Sequence, residues 1–274
     1  MPNAKSWNSD LATLWTKMVG PSRPTCSELN VYLKYIRELQ YTQKRKLKML
    51  VLGSTPEFRD LGFEESMDVT IIDCNLDYHN TINREIHHKV ALNKEHFLNQ
   101  RWQDLDFPNT YDIIIGDLVV GNLAPEELEA FIKRVSKSLT NGGFYLGKSF
   151  FQLDNYTKKS PKETLEEYYA NPAYHPYSKM IYDFSIYSLD GELLYFSKMY
   201  DIIKNLHSER LMDDDTFWYF NNIGLDKGME FTFYIPSFEY YKSLVNKYLT
   251  IRSVDYGNDI YSKQFPLLIA QKTN

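Results

Sequence analysis

One stretch constrains this chain more than any other: Lys46-Leu47-Lys48-Met49-Leu50-Val51-Leu52-Gly53-Ser54-Thr55-Pro56-Glu57. Met49 to Leu52 is a short, continuous apolar run, the pattern of a strand buried on both faces. Gly53 permits a sharp turn and a close backbone approach. Ser54 and Glu57 stand at capping-box spacing, and Pro56 suits a first helical turn. A strand that passes through glycine straight into a helix is a unit of an open α/β sheet. Its helix start aims free N–H groups at the strand's carboxyl end, where such sheets bind ligands.

Twenty residues beyond Gly53, Asp73 closes a second apolar run, Val69-Thr70-Ile71-Ile72. A carboxylate at the tip of the second strand can accept both hydroxyls of a ribose. Each part alone has an ordinary explanation, since strand–glycine–helix turns are common and an Asp after a strand often caps a helix. Together, at this spacing, they favour a nucleoside-containing cofactor.

The alternation of strand and helix runs from about 46 to 150. Asn80 to Asn93 reads as a helix and His96-Phe97-Leu98-Asn99 as a third strand. Tyr111 to Asp117 is a fourth strand. Pro125 to Leu139 is a helix with Leu128, Phe131, Ile132, Val135 and Leu139 inward. Asn141-Gly142-Gly143 makes a turn into a fifth strand, Phe144 to Phe150. From 236 to 274 come a helix (Ser237 to Tyr248, with Tyr240, Tyr241, Leu244 and Tyr248 on one side), a strand (Leu249 to Val254), a turn at Tyr256-Gly257-Asn258-Asp259, and a last strand (Phe265 to Gln271). The short final connection implies an antiparallel hairpin. The expected fold is α/β: a doubly wound, mostly parallel seven-stranded sheet with an antiparallel last strand, N-terminal helices and an inserted cap.

Residues 1–45 carry helical spacing at Leu11, Leu14, Trp15 and Met18, breaks at Gly20-Pro21 and Arg23-Pro24, and a helix over Ser27 to Gln40 with Leu29, Tyr32, Leu33 and Ile36 on one face. These helices are either packing or a lid, and Trp7 and Trp15 either core or lid. Residues 151–235 break the rhythm. They hold 14 acidic and 8 basic residues, so the acidity of a chain of net charge −5 is concentrated there, notably at Asp213-Asp214-Asp215. Such an excursion between core elements is where substrate-specific parts usually sit, though an acidic solvated surface has the same composition.

No long basic block is present, which argues against a nucleic-acid partner. Lys44-Arg45-Lys46 with Lys48 reads as a solvated helix end. Cys26 and Cys74 show neither metal nor disulfide spacing, which suits a reducing compartment. There is no signal-like start and no apolar run near 18 residues, so the expected location is cytoplasmic.

At the level of ordered motifs the chain resembles the class I S-adenosylmethionine-dependent methyltransferases, over roughly 47–150 and 236–274. Val51 to Glu57 looks like the family's first motif, in a variant with Gly-x-Thr-Pro-Glu in place of the glycine-rich loop. Asp73 matches the ribose-binding acid. Arg101-Trp102 falls where many members carry an acid and then an aromatic beside adenine. Tyr111 to Asp117 resembles the fourth motif, whose last residues lie near the transferred methyl. Trp15 and Arg23-Pro24-Thr25 resemble the leader of members with this first-motif variant. The resemblance implies S-adenosylmethionine as cofactor. It assigns binding to Gly53, Ser54, Thr55, Pro56, Arg59, Asp73, Cys74, Arg101, Trp102, Asp117 and Leu118, with Asp117 also catalytic and no metal. Two departures stand out. Gly53 is the only glycine of the loop. Arg101 cannot accept a hydrogen bond from an adenine amino group, which leaves Gln100, Gln103 or Asp104 for that part.

Methyl transfer is a one-step displacement in which the protein supplies position and electrostatics. Asp117 either orients an amine or takes a proton near the methyl, or it caps the next segment. His79, His87, His88, His96, His175 and His207 have no spacing that singles one out; His175 and His207 are candidate bases, and His87 and His88 read as surface. Tyr168, Tyr169, Tyr174, Tyr177, Tyr182, Tyr187 and Phe217-Trp218-Tyr219-Phe220 either face a sulfonium or build the core of a cap. The expected reaction partner is a small-molecule or peptide acceptor, and Gly116-Asp117-Leu118-Val119 is not the Asn-Pro-Pro-Tyr type used on DNA bases. Two other classes compete: a scaffold that keeps the fold without catalysis, and a nicotinamide oxidoreductase, for which a Gly-x-Gly-x-x-Gly loop is expected and missing.

Overall fold

The apolar run after Lys46 becomes the central strand of the sheet. The computed structural model describes residues 9–13, 15–18, 20–152, 159–171, 182–222, 232–259 and 262–273. Two helices, α1 (Ser9–Thr13) and α2 (Cys26–Gln43), precede β1 (Lys48–Leu52). Then follow α3 (Pro56–Glu64), β2 (Asp68–Asp73), α4 (Leu76–Ile82), β3 (His96–Asn99), β4 (Tyr111–Asp117), α5 (Leu128–Ser138) and β5 (Leu139–Lys148). The insert holds α6 (Pro161–Ala170), β6 (Leu189–Asp190), β7 (Leu193–Tyr195), α7 (Phe196–Ser208), α8 (Asp214–Asn222) and β8 (Thr232–Tyr234). The chain closes with α9 (Phe238–Asn246), β9 (Thr250–Asp255) and β10 (Leu267–Gln271).

The main sheet has the order β3-β2-β1-β4-β5-β10-β9, and β6-β7-β8 form a small second sheet. In the main sheet only β10 runs against its neighbours β5 and β9, as the short final connection requires. Side chains alternate across a strand, so β1 feeds two cores. Met49 and Val51 pack with Tyr32 and Ile36 of α2 and Phe58 and Leu61 of α3. Leu50 and Leu52 pack with Phe131 and Val135 of α5 and Tyr241 and Leu244 of α9. Each such fully buried aliphatic side chain contributes roughly 1.5–3 kcal/mol. A third cluster joins Ala12, Trp15 and Met18 to Tyr78 and Ile82 of α4 and to Leu165, Phe184, Met199 and Phe220 of the insert. No helix among the described residues is long and apolar enough to cross a membrane.

The structure corrects several local expectations. Thr55, not Ser54, is the N-cap of α3, and it makes no side-chain cap bond; Ser54 is engaged elsewhere and Glu57 is held by Arg23 and Trp15. The helix expected over 80–93 begins earlier, because the Asn75 side chain caps it by accepting from the Tyr78 N–H. It ends at Ile82, and farther on the Asp60 carboxylate takes the N–H groups of His87 and His88, pinning an irregular segment. The Asn141-Gly142-Gly143 turn lies within β5, where the register against β4 jumps between Tyr111–Leu139 and Ile113–Phe144. Tyr240 is exposed and Val245 takes its inward place. Trp7, Leu14, Tyr174, His175 and Tyr177 lie outside the described residues, as does the side chain of Tyr219.

Candidate active site

The strand order reverses at β1: the chain runs outward through β2 to β3, then returns to add β4 on the other side. The carboxyl ends of β1 and β4 diverge there, which is where open α/β sheets bind ligands. A cleft of about 650 Å³, counting space open to solvent, occupies this position.

Gly53 forms its edge with φ +88, and a Cβ there would meet Trp102 Cζ2 at 3.4 Å. A side chain would therefore be strained in backbone, although its Cβ would touch the ring only at ordinary van der Waals distance. Trp102 is fixed by its indole N–H, which donates to the Ile72 carbonyl at 2.9 Å. That carbonyl also accepts from the Gly53 N–H at 2.9 Å, so glycine turn and indole share one anchor at the tip of β2.

Asp73 lies beside them, 8% exposed. Its Oδ2 accepts from the Ser54 hydroxyl at 3.0 Å and its Oδ1 from the Asn75 N–H at 2.9 Å. Burial pushes its carboxyl up from the ordinary range, against the pull of these bonds. The Ser54 hydroxyl also lies 3.0 Å from His79 Nδ1. Burial, then the Arg59 charge, lowers His79 to about 4, so the imidazole is neutral at pH 7. Cys74 adjoins the cleft with its thiol pushed up by burial and by Asp73.

On the other wall, β4 ends at Asp117. Leu118 follows at φ +53, its N–H bonded to the Lys148 carbonyl at 2.8 Å. A left-handed leucine is strained by about 1–3 kcal/mol, a feature that gathers at functional sites. Behind Asp117 lies a buried polar cluster. Lys148 Nζ stands 3.3 Å from Asp117 Oδ1 and 3.0 Å from Glu28 Oε2, and donates to the Pro21 carbonyl. Burial works to lower Lys148, but Asp117 and Glu28 win and hold it raised. Burial pushes Asp117 up to about 7; Lys148 opposes this, and Glu28 and Glu57 add to it. Glu57 in turn receives the Trp15 indole N–H at 3.2 Å and the Arg23 guanidinium.

The cleft thus brings together Gly53, Ser54, Thr55, Asp73, Cys74 and Trp102 with Asp117 and Leu118. Three expected residues lie elsewhere. Pro56 is buried in the first turn of α3. Arg59, one helical step further, is fully buried against Glu95 and Asn83. Arg101 pairs with Glu127. Gln103 also donates to Glu127, and Gln100 to the Asp104 carbonyl; none of these three lines the cleft. Sequence reasoning missed Ser22, Leu52, Asn75, Tyr78 and Asn122, which do. The signal for Asn75 and Tyr78 was present as an N-cap spacing just after Asp73. Trp15 both lines the cleft and belongs to the third core cluster. His207 stacks on Phe217 and bonds Asp214 on the insert, away from the cleft. Phe184 and Phe220 are core, while Trp218 is exposed. No described residue of the insert lines the cleft. Among the described residues no group of three His, Cys, Asp or Glu is arranged to hold a metal.

No protein-family profile matches the sequence, and no curated protein does. Solved structures are similar in fold. A Rhodobacter sphaeroides protein, named as an unproven Zn-dependent alcohol dehydrogenase, superposes with TM-score 0.58 at 13% identity, over 97% of this chain and 99% of that one. The 1,6-didemethyltoxoflavin-N1-methyltransferase of Burkholderia thailandensis, solved with S-adenosylhomocysteine, gives 0.53 at 10% over 98% and 85%. The N-methyltransferase NodS of Bradyrhizobium japonicum WM9, also with S-adenosylhomocysteine, gives 0.53 at 10% over 99% and 98%. At such identities the likeness concerns the fold: a seven-stranded, mostly parallel Rossmann-like sheet of the kind methyltransferases use.

Proposed function

We propose that this chain is an S-adenosylmethionine-dependent methyltransferase acting on a small-molecule or peptide acceptor. One observation carries the reading. The cleft is lined by two carboxylates, Asp73 and Asp117, and three aromatics, Trp15, Tyr78 and Trp102, with no Lys, Arg or His among the described lining residues. Ring faces and carboxylates attract cations. A ligand with a ribose diol and a positive charge suits that lining. A pyrophosphate dinucleotide would meet two carboxylates without a cationic side chain.

When bound, S-adenosylmethionine supplies a methyl group on a sulfonium, which an acceptor displaces in one step. Asp73 would take the ribose hydroxyls. Gly53, lacking a Cβ, would leave room for the close backbone approach, and Leu52 and Trp102 would offer apolar surface to the base. Asp117 would stand on the acceptor side. The N-terminal segment, through Trp15 and Ser22, would exclude water, with the insert as a cap beyond it. Holding the reactants in line is worth up to roughly 7–11 kcal/mol in well-oriented systems. A module that binds without turnover is the second reading; it draws on Arg101, whose guanidinium pairs with Glu127 and offers adenine no acceptor.

Calorimetric titration with S-adenosylmethionine, S-adenosylhomocysteine and NAD tests the proposal. Micromolar binding of the first two and none of NAD supports it. Binding with no transfer to any acceptor in a broad panel supports the module, and failure to bind either compound refutes both.

A further inference from the structure

The cluster behind Asp117 does not balance its charge. Three carboxylates meet there: Glu28 and Asp117 around Lys148, and Glu57 beside Arg23. Both cations are committed within the cluster, Lys148 also to the Pro21 carbonyl and Arg23 also to the Trp15 carbonyl. With Asp117 ionised, three negative charges face two positive ones. The surplus is buried: the side chains of Glu28, Lys148 and Asp117 are 1%, 1% and 4% exposed. Among the described residues, Glu28 Oε1, Glu57 Oε2 and the Tyr32 hydroxyl have no hydrogen-bond partner, and Asp117 Oδ1 has only the 3.3 Å ion pair with Lys148. An uncompensated buried charge is costly unless a partner arrives. Of the three acids, only Asp117 lines the cleft.

We propose that Asp117 is the recognition point for a protonated amine on the acceptor, which supplies the positive charge that the buried cluster lacks. This rests on the methyltransferase reading. The ammonium pairs with the Asp117 carboxylate and then gives it one proton. A neutral amine and a neutral acid result, and the freed lone pair on nitrogen is the nucleophile that methyl transfer requires. Nothing else is consumed in that step.

The groups that face Asp117 are Lys148 on β5, Glu28 and Tyr32 on α2, Glu57 on α3, and Arg23 beyond Glu57. Because burial brings its carboxyl up to about 7, amine binding should rise between pH 6 and 8 and fall again above the amine's own pKa.

The test uses the full chain saturated with S-adenosylhomocysteine and titrated with benzylamine, benzyl alcohol and benzoate. Benzylamine is expected to bind at least tenfold tighter than the other two. Asp117→Asn should abolish that preference. Glu28→Gln keeps the carbonyl that accepts from Lys148 but removes a charge that raises Asp117, so the pH midpoint of amine binding should move down. Equal binding of amine and alcohol overturns the proposal, as does a preference that survives Asp117→Asn. Loss of S-adenosylhomocysteine binding in that variant assigns the charge to the cofactor and overturns it too. Failure of the wild type to bind S-adenosylhomocysteine counts against the methyltransferase reading. The same amine titration on the ligand-free protein then decides the amine site by itself.

Discussion

Replacing Asp73 with asparagine perturbs the residue whose surroundings in the cleft are most fully defined. Its Oδ1 accepts from the Asn75 N–H and its Oδ2 from Ser54. A carboxylate has about four lone-pair sites; the Ser54 and Cys74 N–H groups also pull on Asp73, and its face toward the cleft is what a ribose hydroxyl would meet. In Asp73→Asn the amide oxygen stays on the Asn75 N–H. The new NH2 faces Ser54, whose hydroxyl turns to accept from it and to donate to His79 Nδ1. The bonds to Asn75 and Ser54 are thereby preserved, and one acceptor for the ligand is gone. A bond to a charged group is worth about 1.5–3 kcal/mol, so S-adenosylhomocysteine should bind roughly 10- to 150-fold more weakly. Stability moves the other way. Burial raises the Asp73 carboxyl in the fold, so its contribution is present below its unfolded pKa and lost as pH rises through the folded one. At neutral pH the ionised carboxylate is a cost, and the ligand-free variant should melt at the same temperature or higher. Calorimetry and thermal denaturation at pH 7.5 measure both. An affinity within threefold of wild type, in a variant that melts cooperatively, would refute the ribose assignment.

Gly53→Ala forces a Cβ into φ +88 against Trp102; a loss of about 1–3 kcal/mol of stability is expected, read as a lowered urea midpoint, together with weaker ligand binding. Lys148→Met strands Glu28 and Asp117 without their shared cation and should cost about 3–5 kcal/mol; an unchanged urea midpoint would show that the cluster is wetter than its burial implies. For Asp117 the folded pKa of about 7 lies above the ordinary ~3.9. Wild-type stability from this group is therefore full below about pH 4 and lost progressively as pH rises through about 7, and the melting temperature of Asp117→Asn should gain on wild type across that range. A gap that stays flat with pH would contradict this.

The strands were readable because a doubly covered sheet demands continuous apolar runs, and Met49–Leu52, Val69–Ile72 and Ile113–Ile115 supply them. Gly53 and Asp73 were readable because a fixed unit separates them. Arg59 was misread for a geometric reason. It continues the Gly-x-Thr-Pro-Glu run in sequence, but it has already turned away around α3 to face Glu95. Arg101 was misread because adjacency to Trp102 says nothing of where a guanidinium finds its carboxylate. The Glu28–Lys148–Asp117 cluster was invisible, since its members come from α2, β5 and β4 and no spacing links them. A lysine at the end of an apolar strand was the one hint. The helix expected over 80–93 failed because composition could not reveal that Asp60, in another element, would take the backbone of His87 and His88.

The third apolar cluster bears on how such a protein diversifies. Because Ala12, Trp15 and Met18 share one core with Leu165, Phe184, Met199 and Phe220, the leader and the insert are a single inheritance unit split across the chain. Transplanting the insert alone into a relative would bring one half of an interlocking pair and strip its apolar side bare. A chimera that exchanges residues 1–25 together with 151–235 should remain monodisperse where the single exchange aggregates. New acceptor preferences would then arise by paired change at two distant stretches, while the sheet between them stays as it is.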